Sequence, residues 1–234
     1  MSFNFKYFSI NQELAAMKVG TDGVLLGAWA TLRGNERNIL DIGTGTGLIA
    51  IMMAQRSAAQ VIVGVEIDEN SAKQAAQNMS ASKWAERLSV AHTPIQQFSH
   101  PDKFDLILSN PPYFVNSLLA KGTSRTNARH TTELSFEDLA SSAHRLLAPN
   151  GRFALILPPT ETELFDKASN DKLHLSRRCY VRGKSGGVVR RVMSEYRLSK
   201  PTEISEQEIA VRATPPEEYT AEYRALTSEF YLKF

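Results

Sequence analysis

The amino-acid sequence predicts an α/β fold built on a doubly wound, mainly parallel sheet. Short apolar runs of strand length alternate with helical patterns between Ile39 and Leu164. This alternation is typical of strands joined by right-handed helical crossovers. The longest apolar runs, such as 61–65 and 153–157, have the length of buried strands and are far too short to span a membrane. A chain of 234 residues is long enough to bury a substantial core in one domain.

Each element is predicted from its own pattern of residues. Apolar runs predict strands at 38–43, 61–68, 88–91, 104–110 and 152–157. Helical spacing predicts helices at 48–56, 69–81 and 136–147, and another helix from Thr160. Asp22 precedes the apolar segment 24–30 and is the expected N-cap of a short helix. Ser135 has the same role before the helix at 136–147.

The last quarter of the chain is expected to contain a hairpin and a helical tail. Two basic runs at about 173–183 and 188–198 are separated by glycines at 183, 186 and 187, which predicts two strands joined by a turn. The tail from Tyr219 to Phe234 is expected to form a helix and then a short strand.

The net charge of +2 hides a strong segregation of charge along the chain. Residues 172–200 contain nine Lys and Arg residues against the single Glu195, a net charge of +8. Residues 201–234 carry −4, and residues 1–171 carry −2. A basic segment in an otherwise slightly acidic chain indicates a surface for a polyanion. The alternative is a pair of edge strands that are protected from aggregation by their charges.

A glycine-rich turn follows the strand at 38–43. Gly43, Gly45 and Gly47 are spaced G-x-G-x-G, unlike the G-x-G-x-x-G of dinucleotide sites. Glycine lets the backbone turn tightly and approach a ligand closely. Asp41 can pair with a ligand ammonium group, and Glu66, at the end of the next strand, can accept hydrogen bonds from a ribose. One molecule with both groups, S-adenosylmethionine, fits this pattern better than NAD.

A second polar group follows the strand at 104–110. Its sequence, Asn110-Pro111-Pro112-Tyr113, combines an amide, two stiff prolines and an aromatic ring. The side-chain carbonyl of Asn110 and the backbone carbonyl of Pro111 can face the same small volume, where they suit a planar NH2 group with two hydrogens to donate. Tyr113 offers a flat face on which a planar substrate can stack. Ligands of open α/β sheets bind at this end of the strands.

The composition and the N-terminal sequence bear on where the protein is located and on whether it binds a metal. Cys179 is the only cysteine, so the chain forms no internal disulfide and a reducing cytoplasmic location is expected. The first residues show no signal-peptide pattern. The five histidines are scattered without metal-ligand spacing, and no metal site is expected.

These motifs resemble those of a known superfamily. Asp41 to Gly47, Glu66 and Asn110 to Tyr113 look like the motifs of class I S-adenosylmethionine-dependent methyltransferases that act on exocyclic or amide nitrogens. The upstream stretch 17–29 resembles that of the bacterial tRNA adenine-N6 methyltransferases that act beside the anticodon of valine tRNA. The Asn-Pro-Pro-Tyr motif is shared with DNA and glutamine methyltransferases, so the upstream stretch is the more specific signal.

The resemblance implies a fold and a division of the chain. The expected fold is a doubly wound, Rossmann-like sheet of seven strands, the last of which runs antiparallel. The chain is expected to be a single domain, 1–234, with an N-terminal segment at 1–37. The cofactor-binding core is expected at 38–171, and the basic hairpin and C-terminal tail at 172–234.

The resemblance also implies roles for individual residues, with S-adenosyl-L-methionine as cofactor and tRNA as partner. The expected catalytic residues are Asn110, Pro111, Pro112 and Tyr113. The expected cofactor-binding residues are Thr21, Asp22, Asp41, Gly43, Gly45, Gly47 and Glu66. The expected RNA-binding residues are Arg125, Arg129, Arg177, Arg178, Arg190 and Arg191. The protein is expected to act as a monomer, without a membrane or a metal.

Two alternatives remain open on the sequence alone. A glutamine-N5 methyltransferase acting on protein would share Asn110 to Tyr113, but such enzymes carry a helical domain before the glycine turn, and only about forty residues precede Asp41 here. A nucleic-acid-binding module with an inactive methyltransferase fold is the other alternative. The presence of Asp41, Glu66 and Asn110 disfavours it.

Overall fold

The computed structural model describes residues 2–15, 17–112, 134–214 and 218–233. The strands are β1 (Ser2–Asn4), β2 (Ser9–Asn11), β3 (Asn38–Ile42), β4 (Val61–Glu66), β5 (Leu88–His92), β6 (Phe104–Ser109), β7 (Leu147–Leu157), β8 (His174–Lys184), β9 (Val189–Arg197) and β10 (Ser205–Arg212). The helices are α1 (Thr21–Trp29), α2 (Leu48–Arg56), α3 (Glu69–Ser80), α4 (Phe136–Leu146), α5 (Pro159–Ser169) and α6 (Ala221–Thr227).

The main sheet confirms the predicted fold class. In the described part of the chain it has eight strands in the order β10-β8-β9-β7-β6-β3-β4-β5. All neighbouring strands are parallel except at β9, which runs antiparallel to both β7 and β8. The seventh strand of this sheet in chain order is therefore antiparallel, as expected. The expected total of seven is one too low, because β10 adds an eighth strand parallel to β8.

Strand β10 was missed because its sequence contains few apolar residues. It lies at the edge of the sheet, where its first four residues are exposed. Its pairing with β8 is supported by polar contacts: Glu208 accepts two hydrogen bonds from Arg182 at 2.7 and 2.8 Å. Opposite charges on neighbouring strands add to the stability of such a pair. Ile209 and Val211 of β10 also pack against the core.

Both ends of the chain also differ from the expectation. The aromatic N-terminal residues form a small hairpin, in which β1 and β2 pair antiparallel. Helix α1 has Gly20 as its N-cap, so Asp22 lies inside the first turn and the predicted N-cap is wrong. Helix α6 lies within the predicted tail, but no strand follows it in the described residues up to 233.

The sheet buries an apolar face on each side. Helices α1, α2 and α6 pack on one face, where Leu26 and Ile51 are fully buried, as is Phe230 after the end of α6. Helices α4 and α5 pack on the other face, with Leu139 and Phe165 fully buried. Burial on both faces explains why the central strands have continuous apolar sequences. None of the described helices is long and apolar enough to cross a membrane.

Candidate active site

Strand pairing brings the two sequence motifs together. Strands β3 and β6 are parallel neighbours, with Ile42 opposite Ser109. Each of these residues ends its strand, so Gly43 and Asn110 leave the sheet side by side. The Ser109 hydroxyl donates a buried hydrogen bond of 2.9 Å to the Ile42 carbonyl and holds the two strand ends together. The glycine turn and the Asn-Pro-Pro segment therefore border the same space at the carboxyl edge of the sheet, where open α/β sheets bind ligands.

The glycine turn has the conformation that its sequence predicts. Gly43, Gly45 and Gly47 have φ values of +69°, +55° and +82°, in the left-handed region that favours glycine. A Cβ atom on Gly43 would meet no described atom within 4 Å, so open space adjoins the backbone there. Gly47 is the N-cap of α2 and has no capping side chain. The turn thus presents backbone groups and a helix N-terminus toward that space.

Glu66 organises the turn from the neighbouring strand. One of its carboxylate oxygens accepts a hydrogen bond of 2.9 Å from the Gly45 N–H. The other accepts hydrogen bonds from the N–H groups of Ile67 and Asp68, at 2.9 and 3.0 Å. A carboxylate has about four lone-pair sites, so these three bonds leave room for a further donor. A ligand hydroxyl that binds here would contact an acceptor already held in place.

Asp41 is completely buried beneath the turn. Its Oδ2 atom accepts hydrogen bonds from the Thr44 hydroxyl at 2.6 Å and from the Ala50 N–H at 3.2 Å, so the carboxylate caps α2 from a distance. Its Oδ1 atom has no hydrogen-bond partner among the described residues. Burial raises the pKa of Asp41 to about 7, and the nearby charge of Glu66 adds to the rise.

The residues present fit a cofactor that carries both a ribose and a cationic group. Glu66 retains acceptor capacity, Gly43 leaves space beside the backbone, and the Oδ1 of Asp41 lacks a partner. A cation near Asp41 would compensate for the buried negative charge, which is otherwise costly. No group of three His, Cys, Asp or Glu side chains that could hold a metal ion occurs among the described residues.

Helix α1 lies against Asn110. A Cβ atom on Gly23 would be 3.2 Å from Leu48 Cδ2 and 3.9 Å from Asn110 Nδ2, so glycine allows this helix to approach both. Asp22 forms an ion pair of 2.7 Å with Arg191 of β9. The structure thus places Asp22 next to the site but directs its carboxylate to the basic hairpin. The role of Thr21 and Asp22 in cofactor binding stays a prediction.

The basic residues predicted to bind RNA occupy different environments. Arg177 donates hydrogen bonds to the Trp29 carbonyl and the Thr31 hydroxyl, and its guanidinium lies 4.1 Å from the centre of the Trp29 ring. Arg178 pairs with Asp166 at 2.8 Å. Arg190 is exposed. Tyr113, Arg125 and Arg129 lie outside the described residues.

One positioning residue was missed by the sequence reasoning. Asn78 of α3 is buried, and its amide donates hydrogen bonds of 2.8 Å to the carbonyls of Thr46 and Asn11. It therefore ties the glycine turn to the N-terminal hairpin. A polar residue on the buried side of an amphipathic helix is the only sequence signal for this role.

The fold and the site together define a class I S-adenosylmethionine-dependent methyltransferase. This class agrees with the mainly parallel sheet and its antiparallel strand, the glycine turn after β3 and the acidic end of β4. The chain belongs to the methyltransferase small domain family, whose sequence model matches residues 19–161.

Relatives match nearly the whole chain. The chain is 47% identical to a protein of Tolumonas auensis named tRNA1(Val) (adenine(37)-N6)-methyltransferase, over 99% of this chain and 97% of that protein. A protein of the same name from Phocaeicola vulgatus is 46% identical over 98% of this chain and 97% of its own length.

Solved structures share the fold. A predicted O-methyltransferase of Agrobacterium tumefaciens aligns with a TM-score of 0.69 at 18% identity, covering 89% of this chain and 96% of that one. The N-methyltransferase NodS of Bradyrhizobium japonicum, in complex with S-adenosyl-L-homocysteine, aligns with a TM-score of 0.51 at 18% identity. It covers 70% of this chain and 79% of that one.

Replacing Glu66 by alanine should weaken cofactor binding by about ten- to a hundredfold, because hydrogen bonds to a charged group contribute about 1.5 to 3 kcal/mol. The change also releases the Gly45 N–H from its partner. Turnover at saturating cofactor should change much less. Calorimetric titration with S-adenosylmethionine measures the effect. Glu69→Ala is the control, since Glu69 is exposed and contacts Lys73 on the next turn. Normal cofactor affinity in the Glu66 variant would refute the assignment.

Asp41→Asn should change stability in a pH-dependent way. Because the folded-state pKa of Asp41 is raised to about 7, its stabilising contribution is complete below about pH 4. It is lost as the pH rises through 7. Asparagine does not ionise, so the variant does not lose stability in this pH range, and its side-chain carbonyl can still accept the hydrogen bond from the Thr44 hydroxyl. Relative to the parent, the variant should gain about 2 to 4 kcal/mol in unfolding free energy between pH 4 and pH 8. Urea unfolding at pH 4 and pH 8 tests this. The prediction is contradicted if the variant and the parent differ in unfolding free energy by the same amount at the two pH values.

Proposed function

We propose that this protein transfers a methyl group from S-adenosylmethionine to N6 of an adenine in tRNA. We further propose that this adenine is at position 37 of a valine tRNA, the position given in the names of the relatives. The match over 97% of the length of relatives with that name carries the choice of substrate. The side-by-side exit of Gly43 and Asn110 from the sheet supports the chemistry, because it sets cofactor and acceptor sites next to each other.

Adenine N6 is a poor nucleophile, since its lone pair is delocalised into the ring. The Asn110 side-chain carbonyl and the Pro111 backbone carbonyl would accept hydrogen bonds from its two N–H groups and favour the pyramidal nitrogen that attacks in line. When bound, the cofactor would supply the methyl group from its sulfonium, and the electron pair of the broken S–C bond would stay on sulfur as a neutral thioether. After transfer, the nitrogen is acidic and loses a proton to solvent. Asn110 thus contributes positioning and preorganised electrostatics, and no strong base is required.

The target base has to leave its stack to enter the site. Bases of an anticodon loop are already partly unstacked, which lowers this cost. Gly23 keeps α1 close to Asn110, so this helix would border a flipped base that binds there. We further propose that the protein works as a single domain and a monomer in the cytoplasm.

Incubation of the protein with methyl-labelled S-adenosylmethionine and bulk tRNA, bulk protein or DNA tests the proposal. Label is expected in tRNA, and nucleoside mass spectrometry should identify it as N6-methyladenosine. Label found in protein alone would refute the proposal and favour glutamine methylation. Valine tRNA in which the adenine at position 37 is replaced by guanosine should accept no label.

A further inference from the structure

The basic hairpin projects beyond the carboxyl edge of the sheet. Val192 of β9 lies opposite Leu157, the last residue of β7. Strand β9 begins three residues earlier, at Val189, and β8 continues to Lys184. At about 3.3 Å per residue, the tip of the hairpin extends about 10 Å past the end of β7. The tip therefore lies on the same edge of the sheet as Asn110.

The structure divides the basic segment into two groups. Four arginines of β8 and β9 are held by protein groups: Arg177 by Trp29 and Thr31, Arg178 by Asp166, Arg182 by Glu208, and Arg191 by Asp22. These contacts satisfy much of the positive charge that the sequence shows. The other cations of the segment lie at its two ends: Lys184 and Arg190 near the tip of the hairpin, and Lys172, Arg197 and Lys200 near the opposite edge of the sheet.

A groove of about 280 Å³ lies at the tip of the hairpin. We call it the tip groove; its lining comprises Gly183, Lys184, Gly187, Val188, Arg190 and Arg212. Lys184, Arg190 and Arg212 are all exposed, and none of the described residues that line the groove is acidic. Among the described residues, the side chains of Lys184 and Arg190 form no hydrogen bond or ion pair. Neither Lys184 nor Arg190 is paired with a described acidic residue, and the nearby Glu208 is already bound by Arg182. The pair of cations therefore favours an anionic ligand.

The backbone of the groove is held firmly. Gly186 has φ +71° and makes the turn, while the Ser185 N–H donates a hydrogen bond of 2.8 Å to the Arg212 carbonyl. The Arg212 guanidinium lies 4.6 Å from the centre of the Tyr219 ring. The cations are therefore presented by a braced turn that joins β8, β9 and β10.

The projecting end of the hairpin contacts the helix beside the candidate active site. Arg191, next to Arg190 in β9, pairs with Asp22, and the adjacent Gly23 lies beside Asn110. Strand β8 is three strands from β6, so at about 4.8 Å per strand the groove is about 14 Å along the edge from the end of β6. An RNA strand whose target base lies against Asn110 can reach the tip groove within a few nucleotides.

We propose that the tip groove binds the phosphate backbone of the tRNA substrate beside the methylated nucleotide; this rests on the function proposed above. Lys184 and Arg190 contact phosphate oxygens, and Arg212 adds to the positive field of the groove. Arg177 and Arg178 stabilise the protein and do not contact RNA. The groove supplies affinity without sequence preference, because phosphate contacts position the substrate and base contacts specify it.

The test is a double charge reversal, Lys184→Glu with Arg190→Glu. Methyl transfer to valine tRNA and tRNA binding are measured across a salt series. The apparent KM for tRNA should rise by about ten- to a hundredfold, and the slope of log affinity against log salt should fall by about two units. The kcat at saturating tRNA and the Kd for S-adenosylmethionine should stay within about twofold of the parent.

The matched control is Lys172→Glu with Lys200→Glu. These residues belong to the same basic segment but flank β8 and β9 at the opposite, amino edge of the sheet. The control should keep the parent's KM and salt slope. A milder variant, Lys184→Ala with Arg190→Gln, should show the same trend and serves if the double reversal fails to fold.

The outcomes separate the groove from the proposed function. If the parent methylates tRNA but the groove variants keep its KM and salt slope, the groove assignment is overturned and the function stands. An equal loss of tRNA affinity in the groove variant and in the control would also overturn the groove assignment. It would indicate that the positive charge of the whole segment attracts RNA without a defined site. If the parent protein methylates only protein, the proposed function is refuted. If the groove variant then also binds tRNA as tightly as the parent, the assignment of the groove to RNA binding is refuted as well.

Discussion

Asn110→Ala is expected to lower the rate of methyl transfer at saturating substrates by about a hundred- to a thousandfold. Loss of one preorganised hydrogen-bond partner at a reacting group typically has an effect of this size. Asn110 follows the last residue of β6, and it lies beside the glycine turn rather than within it. The cofactor affinity should therefore stay close to that of the parent. Single-turnover kinetics and calorimetric titration with S-adenosylmethionine measure the two quantities separately.

Asn110→Asp is the matched variant for this prediction. Aspartate has nearly the same shape and keeps an acceptor at the same place, so it should retain more activity than alanine. A cofactor affinity that falls as far as the turnover in Asn110→Ala would assign the residue to the cofactor site. Equal activity of the alanine and aspartate variants would show that the acceptor atom is not what matters.

Arg152→Met is expected to lower the free energy of unfolding by about 3 to 5 kcal/mol, since removing one partner leaves buried charges uncompensated. The side chains of Arg152, Glu36 and Glu195 are at most 2% exposed. Arg152 binds Glu36 and the Thr31 carbonyl, and its Nε lies 3.9 Å from Glu195. The change should leave both carboxylates in the interior without their cation. Urea unfolding of parent and variant measures the loss.

Two further variants separate the buried charge from lost packing. The triple variant Arg152→Met, Glu36→Gln, Glu195→Gln removes all three charges and should be more stable than Arg152→Met alone. Lys73→Met is the surface control, because Lys73 pairs with Glu69 while 60% exposed. Such pairs contribute about 0 to 1 kcal/mol. A loss below about 1 kcal/mol in Arg152→Met would show that the buried cluster is not a determinant of stability.

The local features of the fold were predictable from the sequence. The strands and helices of the core, the left-handed glycines and the basic hairpin are all present near their expected positions. Each of them depends on residues that are close together in the chain: apolar runs, helical spacing or glycine at a turn. The carboxyl-edge location of Asp41, Glu66 and Asn110 was also predictable, since parallel strands bring their ends to one edge.

Features that depend on contacts distant in the chain were not predictable. Arg177 and Arg191 looked alike in the sequence, yet their partners Trp29 and Asp22 are 148 and 169 residues away. The edge strand β10 has only a short apolar pattern, Ile209 and Val211, and its ion pair with β8 joins Arg182 to Glu208, 26 residues away. The same limitation hid Asn78, whose polar partners belong to other elements.

The sequence by itself determined the class of fold, the left-handed glycine turn and the position of the Asn-Pro-Pro segment after β6, because backbone conformation and apolar periodicity are encoded locally. The tertiary structure alone decided which cations remain available for a partner. Charge counting treats every Lys and Arg equally, whereas packing pairs Arg177, Arg178 and Arg191 with protein groups and leaves Lys184 and Arg190 at an exposed groove. The physical reason is that the electrostatic field of a surface depends on which charges the fold neutralises, and that is settled only when distant segments meet.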